Sequence, residues 1–393
     1  MSGEVLRVAV VGGGIAGMAA ANALVARGID VTVYEQAPEL GEVGAGVLIT
    51  PQSVRLLHRL GVGDQVTALG AAIGPGSRYQ RMDGTTVAPV RTSDTAGAYH
   101  AHGMHRADLL RMLAERLPAA SVRTGHRCTG FAQDGRTARL VFANGAEAEA
   151  DAVIAADGIH STLQHHVAPP SAPVYSGSVA YRGLIDAAGL PSWPRDAHLI
   201  WMGDGKHFMV FPVRGGALFN YVGFLPSDEG AEETWSGRGD AAALAAAFAG
   251  WDTRIGALLA RVERPFWWGL YDREPLDRWT AGRLTLLGDA AHPMLPHLGQ
   301  GANQAIEDGV ALAVLLAGAG RDGVPEALRA YEDLRRPRVA EVQRGARVNG
   351  ARYDSRSQYA DLRQRDAEIS DHGTFRAWLY DYDVQDAAEK ARA

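Results

Sequence analysis

Along the chain, apolar and polar positions first spell out a strand, a helix and a second strand. Val5, Val8, Val10 and Val11 form a β-branched run, and Ala16, Ala19, Ala20, Ala23 and Leu24 recur at helical spacing. Gly28 ends that helix, Val31, Val33 and Tyr34 make the next strand, and Glu35 closes it. The same alternation returns later. A helix is predicted over 107–117, opened by Arg106, and buried strands over 152–156 and 283–287. Beyond Gly301 a further helix carries an apolar stripe of Ile306, Val310, Val314 and Leu315, with Glu307 and Asp308 expected on its outer side.

Between these segments the period changes. Residues 174–186, 198–202, 207–213 and 217–225 alternate or run apolar, with Arg214-Gly215-Gly216 as a hairpin turn, which predicts one antiparallel sheet. In the strand from 207, period two sets His207, Met209 and Phe211 on one face and Phe208 and Val210 on the other. The alanine-rich stretch 241–249 reads as a packing helix, and no internal repeat appears. An α/β fold with an antiparallel sheet inserted into it is therefore expected.

Composition narrows this without redirecting it. At 393 residues, 47% hydrophobic and 21% charged, the chain has material for two domains with substantial cores. Its single cysteine, Cys128, excludes an internal disulfide and a multi-thiolate metal site; no metal is expected, and a cytoplasmic, reducing setting fits. The first apolar run already leads into a glycine loop, which leaves no secretory leader, and no stretch of about 20 apolar residues suggests a membrane span. A net charge of -6 gives no attraction to nucleic acid. The arginines of 329–347, including Arg335 and Arg338, alternate with acids and read as a solvated helix face.

The first strand runs into Gly12-Gly13-Gly14-Ile15-Ala16-Gly17. In such a loop Gly12 permits the tight turn, Gly14 lets the backbone approach a pyrophosphate, and Gly17 lets the helix pack on its strand. The helix N-terminus offers free N–H groups and a partial positive charge to the phosphates. Glu35 stands where an acid accepts the hydroxyls of an adenosine ribose. This fingerprint serves FAD and NAD equally.

The later segments separate the two. The run Leu286-Leu287-Gly288-Asp289-Ala290-Ala291-His292-Pro293, continuing through Pro296-His297-Leu298-Gly299-Gln300-Gly301-Ala302-Asn303 to Glu307-Asp308, resembles the second flavin signature of the group A flavoprotein aromatic hydroxylases. The resemblance covers nearly the whole chain. It implies a Rossmann-like FAD-binding domain of the glutathione-reductase type, an inserted antiparallel substrate domain and a C-terminal helical region. The implied divisions are 1–72, 99–170 and 272–345 for the FAD domain, 73–98 and 171–271 for the substrate domain, and 346–393 for the helical segment. It also implies that Asp289 binds a ribityl hydroxyl and that the turn Gly299, Gly301, Ala302 and Asn303 offers N–H groups to the flavin N1/O2 edge. Arg106 is implied to reach the pyrophosphate, and Cys128 to touch the adenine through its backbone. Asp157-Gly158 matches the segment linked to FAD and to the nicotinamide donor, although Gln164 replaces the arginine usual three residues after its serine.

Around Lys206-His207-Phe208-Met209-Val210-Phe211-Pro212, Val179-Ala180-Tyr181-Arg182 and Pro296-His297, the chain is similar to the branch holding salicylate hydroxylase and 6-hydroxynicotinate 3-monooxygenase. Composition alone reads His207 as a satisfied sheet histidine; the resemblance makes His207 the first candidate base and His297 the second. Leu48, Arg182, Met209, Phe211 and Pro296 are the implied substrate pocket. Leu48 and Phe211 stand where the hydroxynicotinate enzyme has histidine and tyrosine, which implies a different, more apolar aromatic compound. The implied activity is a single-component monooxygenase, acting as monomer or homodimer. It holds FAD, uses NADH or NADPH with O2, and hydroxylates a small phenolic aromatic through a flavin C4a-hydroperoxide. The alternative on the same fold is an epoxidase or Baeyer-Villiger enzyme.

Overall fold

The computed structural model describes residues 5–41, 45–169, 172–228, 237–371 and 373–392. The expected division between 170 and 171 lies outside them.

The first strand, Arg7–Val11, is buried on both faces and pairs in parallel with Asp30–Tyr34 on one side and Ala152–Ala155 on the other. Leu284–Leu286 adds a further parallel strand beside Ala152–Ala155, and Val122–Arg123 lies beyond Asp30–Tyr34. Parallel strands covered on both faces must be apolar throughout, and Val8, Val10, Val33, Val153, Ile154 and Leu284 are all buried. Val5, expected in the first strand, precedes it and is exposed.

Two helices cover this sheet and touch each other. Ile15–Val25 packs against Gly301–Leu316, where a side chain at Gly309 would sit 2.7 Å from the Ala20 backbone, so glycine sets the approach. Burial extends all around the Gly301–Leu316 helix, and this corrects the expectation for its acids. Glu307 and Asp308 are fully buried, because the long helix Gly320–Tyr353 covers the face expected to be solvated. Arg335 of that helix is buried too, its Nη1 2.7 Å from Glu307 and its Nε 2.8 Å from Asp308. The arginine-rich stretch is therefore not simply a solvated face. This helix also runs unbroken across the expected 345/346 division.

The middle of the chain forms an eight-stranded sheet. Val174–Asp186 pairs antiparallel with Leu218–Pro226 and with Phe266–Asp272, and Lys206–Val213 lies antiparallel between Leu218–Pro226 and Leu199–Gly203. One departure from the expected antiparallel pattern occurs, since Leu199–Gly203 pairs in parallel with Arg78–Arg81. The period-two reading holds in the packing: Phe208 and Val210 join one apolar cluster, Met209 and Phe211 two others. The alanine-rich helix Ala241–Ala247 buries only Leu244 completely. No helix among the described residues is long and apolar enough to cross a membrane.

Candidate active site

Four of the five parallel strands end in loops that carry a sequence-predicted site residue. Gly12 follows the first strand, Glu35 the second, Asp157 the strand Ala152–Ala155, and Asp289 the strand Leu284–Leu286. The carboxyl ends of strands in an open α/β sheet form the usual ligand crevice. Contacts tie the loops together. A Cβ on Gly12 would lie 2.2 Å from the Ala156 carbonyl oxygen, and one on Gly288 2.9 Å from the Ala16 side chain. Glu35 Oε2 accepts from the Gly13 N–H at 2.6 Å, and Oε1 from the Ala37 N–H at 2.8 Å, leaving lone pairs for a further donor.

The loop glycines differ in their physical reasons. Gly12 has φ +110°, a conformation that side chains disfavour. A Cβ on Gly17 would meet the Gly12 carbonyl oxygen at 1.9 Å, so the helix could not begin where it does. Gly14 has nothing within 4 Å of such a Cβ. Its α-carbon faces open space beside a helix start that no side chain caps. The helix Gly301–Leu316 likewise starts without a side-chain cap, and a Cβ on Gly301 would stand 3.9 Å from Asp289 Oδ1. Two uncapped helix ends and an open glycine suit a long ligand with phosphates at one end and an electron-rich edge at the other.

Asp157 adds a direct sign of a missing partner. Its Oδ2 accepts from the Thr162 N–H at 2.8 Å, while Oδ1 is buried with no partner among the described residues. Burial pushes its carboxyl above the ordinary aspartate range. Gln164, the departure noted in the sequence, is buried and donates to the Ala290 carbonyl at 3.0 Å, binding this segment to the Gly288-Asp289 turn. Arg106 opens the helix Arg106–Glu115, and its N–H donates to Ala45 at 2.9 Å. Cys128 is buried at the start of the strand Cys128–Gln133, where burial raises its thiol pKa. The residues present fit FAD.

A second group of predicted residues gathers where the eight-stranded sheet meets the loop before Gly301. His207 is fully buried and stacks on Phe224 at 4.1 Å between ring centroids. His297 Nδ1 lies 3.3 Å from His207 Nε2, and His207 Nδ1 lies 2.7 Å from Asp354 Oδ1. Burial, followed by His207 and Arg356, pushes His297 well below the ordinary histidine range and keeps it neutral. Leu48 and Phe211 share one small apolar cluster, and Leu48 reaches the Gly299 turn, since the Leu48 carbonyl accepts from Asn303 Nδ2 at 2.9 Å. Asn303 Oδ1 accepts in turn from the Thr50 N–H, so this side chain clamps the loop. Arg182 lies opposite Val222, which lies opposite Met209, placing the three in one cross-strand row; the Arg182 guanidinium sits 4.2 Å from the Trp268 ring centre. Pro296 is exposed, so it borders this group rather than entering it.

Three polar residues of this region are not among those the sequence singled out. Asp354 follows the long helix, with no motif to mark it. Asn220 lies opposite Phe211 on the neighbouring strand, and the His198 ring stands 5.6 Å from the Phe211 ring centre. Both are buried, and Asn220 Nδ2 and His198 Nε2 have no partner among the described residues. Burial lowers His198 to about 3, so it is neutral. Leu48 and Phe211 are the two positions that implied a more apolar aromatic compound. Polar groups remain beside them, on strand positions that alternation alone cannot rank.

The profile of the FAD binding domain family matches residues 5–346. The chain belongs to this family. It is a group A flavin monooxygenase, an FAD-dependent aromatic hydroxylase. Among its curated relatives, a 3-amino-4-hydroxybenzoate 2-monooxygenase of Streptomyces platensis is 40% identical over 386 residues, covering 96% of each chain. A salicylate hydroxylase of Pseudomonas putida is 34% identical over 414 residues, covering 99% of this chain and 95% of that one. Among solved structures, a salicylate hydroxylase substrate complex superposes with a TM-score of 0.86 at 28% identity, covering 99% of this chain and 98% of the other.

Proposed function

We propose that this enzyme hydroxylates a small phenolic acid of the hydroxybenzoate or aminohydroxybenzoate class, at the expense of NAD(P)H and O2. The observation that carries this reading is the buried His207–His297 pair beside the Leu48–Phe211 cluster, at the loop that leads into the uncapped helix. The names of the relatives favour ring hydroxylation over epoxidation or Baeyer-Villiger chemistry. Bound FAD supplies electron transfer from the reduced nicotinamide to O2 and so one oxygen atom for the ring.

In this reading Gly12, Gly14 and Gly17 hold the pyrophosphate and Glu35 the adenosine ribose. Arg106 and the Cys128 backbone complete the nucleotide half. Asp289 takes a ribityl hydroxyl, and Gly299, Gly301, Ala302 and Asn303 present N–H groups and a helix dipole to the flavin edge where negative charge collects. Asp157 Oδ1 awaits a donor from the same ligand. Residues 73–98 and 171–271 act as the substrate-facing unit, set into an FAD-binding unit of 1–72, 99–170 and 272–345 and closed by 346–393.

The remaining work falls to side chains of the sheet face. Met209 and Phe211 give the aromatic ring an apolar bed, and Arg182, in the Met209 row, is placed to meet a carboxylate. The substrate hydroxyl must approach the phenolate form to activate its ortho or para carbon, which a neutral histidine accomplishes by accepting the proton. Burial of the pair keeps water from competing. The test is a panel of hydroxybenzoates and aminohydroxybenzoates, scored for stimulated NAD(P)H oxidation with product identification. Stimulation and a ring-hydroxylated product from at least one phenolic acid are expected; a panel with neither would refute the reading.

A further inference from the structure

Two histidines and a carboxylate stand in line at the substrate side of the molecule, and their hydrogen bonds fix which atoms carry protons. A carboxylate only accepts, so the 2.7 Å contact with Asp354 Oδ1 places the proton of neutral His207 on Nδ1. His207 Nε2 then holds a lone pair and accepts from His297 Nδ1 at 3.3 Å. This leaves His297 Nε2 as the acceptor at the far end. The order cannot be reversed while Asp354 is ionised.

The surroundings hold this alignment. Phe224 stacks on His207 from the neighbouring strand, and Tyr353, one residue before Asp354, presents its ring 5.3 Å from the imidazole. The His297 ring lies against Gly350, where a Cβ would come within 2.5 Å of its Cδ2 and 2.7 Å of its Nε2, so only a residue without a side chain leaves this edge of the ring open. Asn349 Nδ2 donates to the His297 carbonyl at 2.8 Å. The charged group beyond is Arg356, with Nε 3.6 Å from Asp354 Oδ2 and a half-buried side chain. Lys206 precedes His207 but turns away toward Phe248 and Trp251, as alternation requires.

We propose that Asp354 is a positioning residue of the hydroxylase, and that His297, His207 and Asp354 form a path along which the substrate's phenolic proton leaves the buried site. The step balances without a further reactant. The substrate O–H bond breaks and its proton goes to His297 Nε2; the Nδ1 proton of His297 passes to His207 Nε2; the Nδ1 proton of His207 passes to Asp354. The result is a phenolate, two neutral histidines and a protonated carboxyl on buried Asp354, beside the partly exposed Arg356. This rests on the hydroxylase reading and deepens it by making His297, rather than His207, the group that meets the substrate.

The test uses FAD-loaded enzyme and 4-hydroxy-3-nitrobenzoate, whose phenolate is read by difference absorbance without turnover. Asp354→Asn keeps the shape and an acceptor for His207 but cannot take the proton. The bound probe is expected to ionise in Asp354→Asn at a pH at least one unit above that in the wild type, a tenfold change in the equilibrium. Turnover of a phenolic acid near neutral pH falls at least tenfold with KM little changed, recovers as pH rises, and is partly restored by Asp354→Glu. If Asp354→Asn loses its flavin, His207→Gln carries the same readout. An unshifted midpoint with normal hydroxylation would overturn the path alone. A wild type that binds no phenol would overturn the hydroxylase reading and the path together.

Discussion

The glycines of the first loop separate two kinds of necessity, one of fold and one of ligand. A methyl group at Gly17 would collide with the Gly12 carbonyl, whereas one at Gly14 would meet no protein atom. Gly17→Ala is therefore expected to lower stability by several kcal/mol, on the order of the largest single-residue effects. Gly14→Ala is expected to leave the apo melting temperature within about 2 °C and to weaken FAD binding at least tenfold; equal flavin affinity in Gly14→Ala would contradict its place beside the pyrophosphate. Asp289→Ala belongs with it, since this side chain is exposed on its turn, and flavin loss on dialysis without unfolding is the expected result. His198 gives a stability signal of its own. Its folded pKa of about 3 lies below the unfolded value of about 6.5, so the unfolded chain gains a proton first as pH falls. Its contribution to stability is complete above pH 6.5 and is lost progressively toward pH 3, at about 1.4 kcal/mol per pH unit. Urea denaturation of His198→Gln between pH 6.5 and 5, above the range where most carboxylates titrate, should show a slope smaller by about one proton. The same slope as wild type would mean that His198 is not held neutral.

At the scale of elements, the sequence was most legible where local pattern and tertiary demand agree. The strand, glycine loop and helix of 7–25 follow from β-branched runs, small residues and a helix-ending Gly28, all local features. The strands 174–226 emerged from alternation because successive side chains join different apolar clusters on the two faces of the sheet. The stripe of the helix Gly301–Leu316 misled at Glu307 and Asp308 because a partner helix more than a dozen residues away supplies a buried cation. Burial opposes the charge on Asp308, but His292 and Arg335 hold its carboxyl below the ordinary range. No periodicity distinguishes an acid facing water from one facing a buried arginine. Removing that cation leaves Asp308 with His292 alone and Glu307 with only Arg338, whose Nε lies 3.8 Å away, so Arg335→Met is expected to cost about 3–5 kcal/mol, read as a fall in the denaturation midpoint. A cost below about 1 kcal/mol would show that water reaches the acids.

For the whole molecule, the gathering of the candidate cofactor residues at one sheet edge was legible and the arrangement of the candidate substrate side only partly so. The four loop segments lie far apart in the chain, yet a parallel sheet delivers them to one edge because each follows a strand at its carboxyl end. That logic is carried by sequence order. The substrate side depends instead on which residues of a distant helix end and of neighbouring strands come to rest together. Asp354 meets His207 across 147 positions, and no local signal announces such a pairing. Asn220 and His198 were hidden for a similar reason, since their importance arises from standing beside Phe211.

By the proposed function, this chain inserts oxygen from O2 into a phenolic acid. Turnover of the FAD-loaded enzyme with NAD(P)H and a hydroxybenzoate or aminohydroxybenzoate under 18O2 tests it most directly, with mass spectrometry of the product. Incorporation of a single 18O atom into a ring hydroxyl, with about one reduced nicotinamide consumed per product, is the expected result. Nicotinamide oxidation that yields only hydrogen peroxide with every phenolic acid tried, or product oxygen drawn from water, would contradict it.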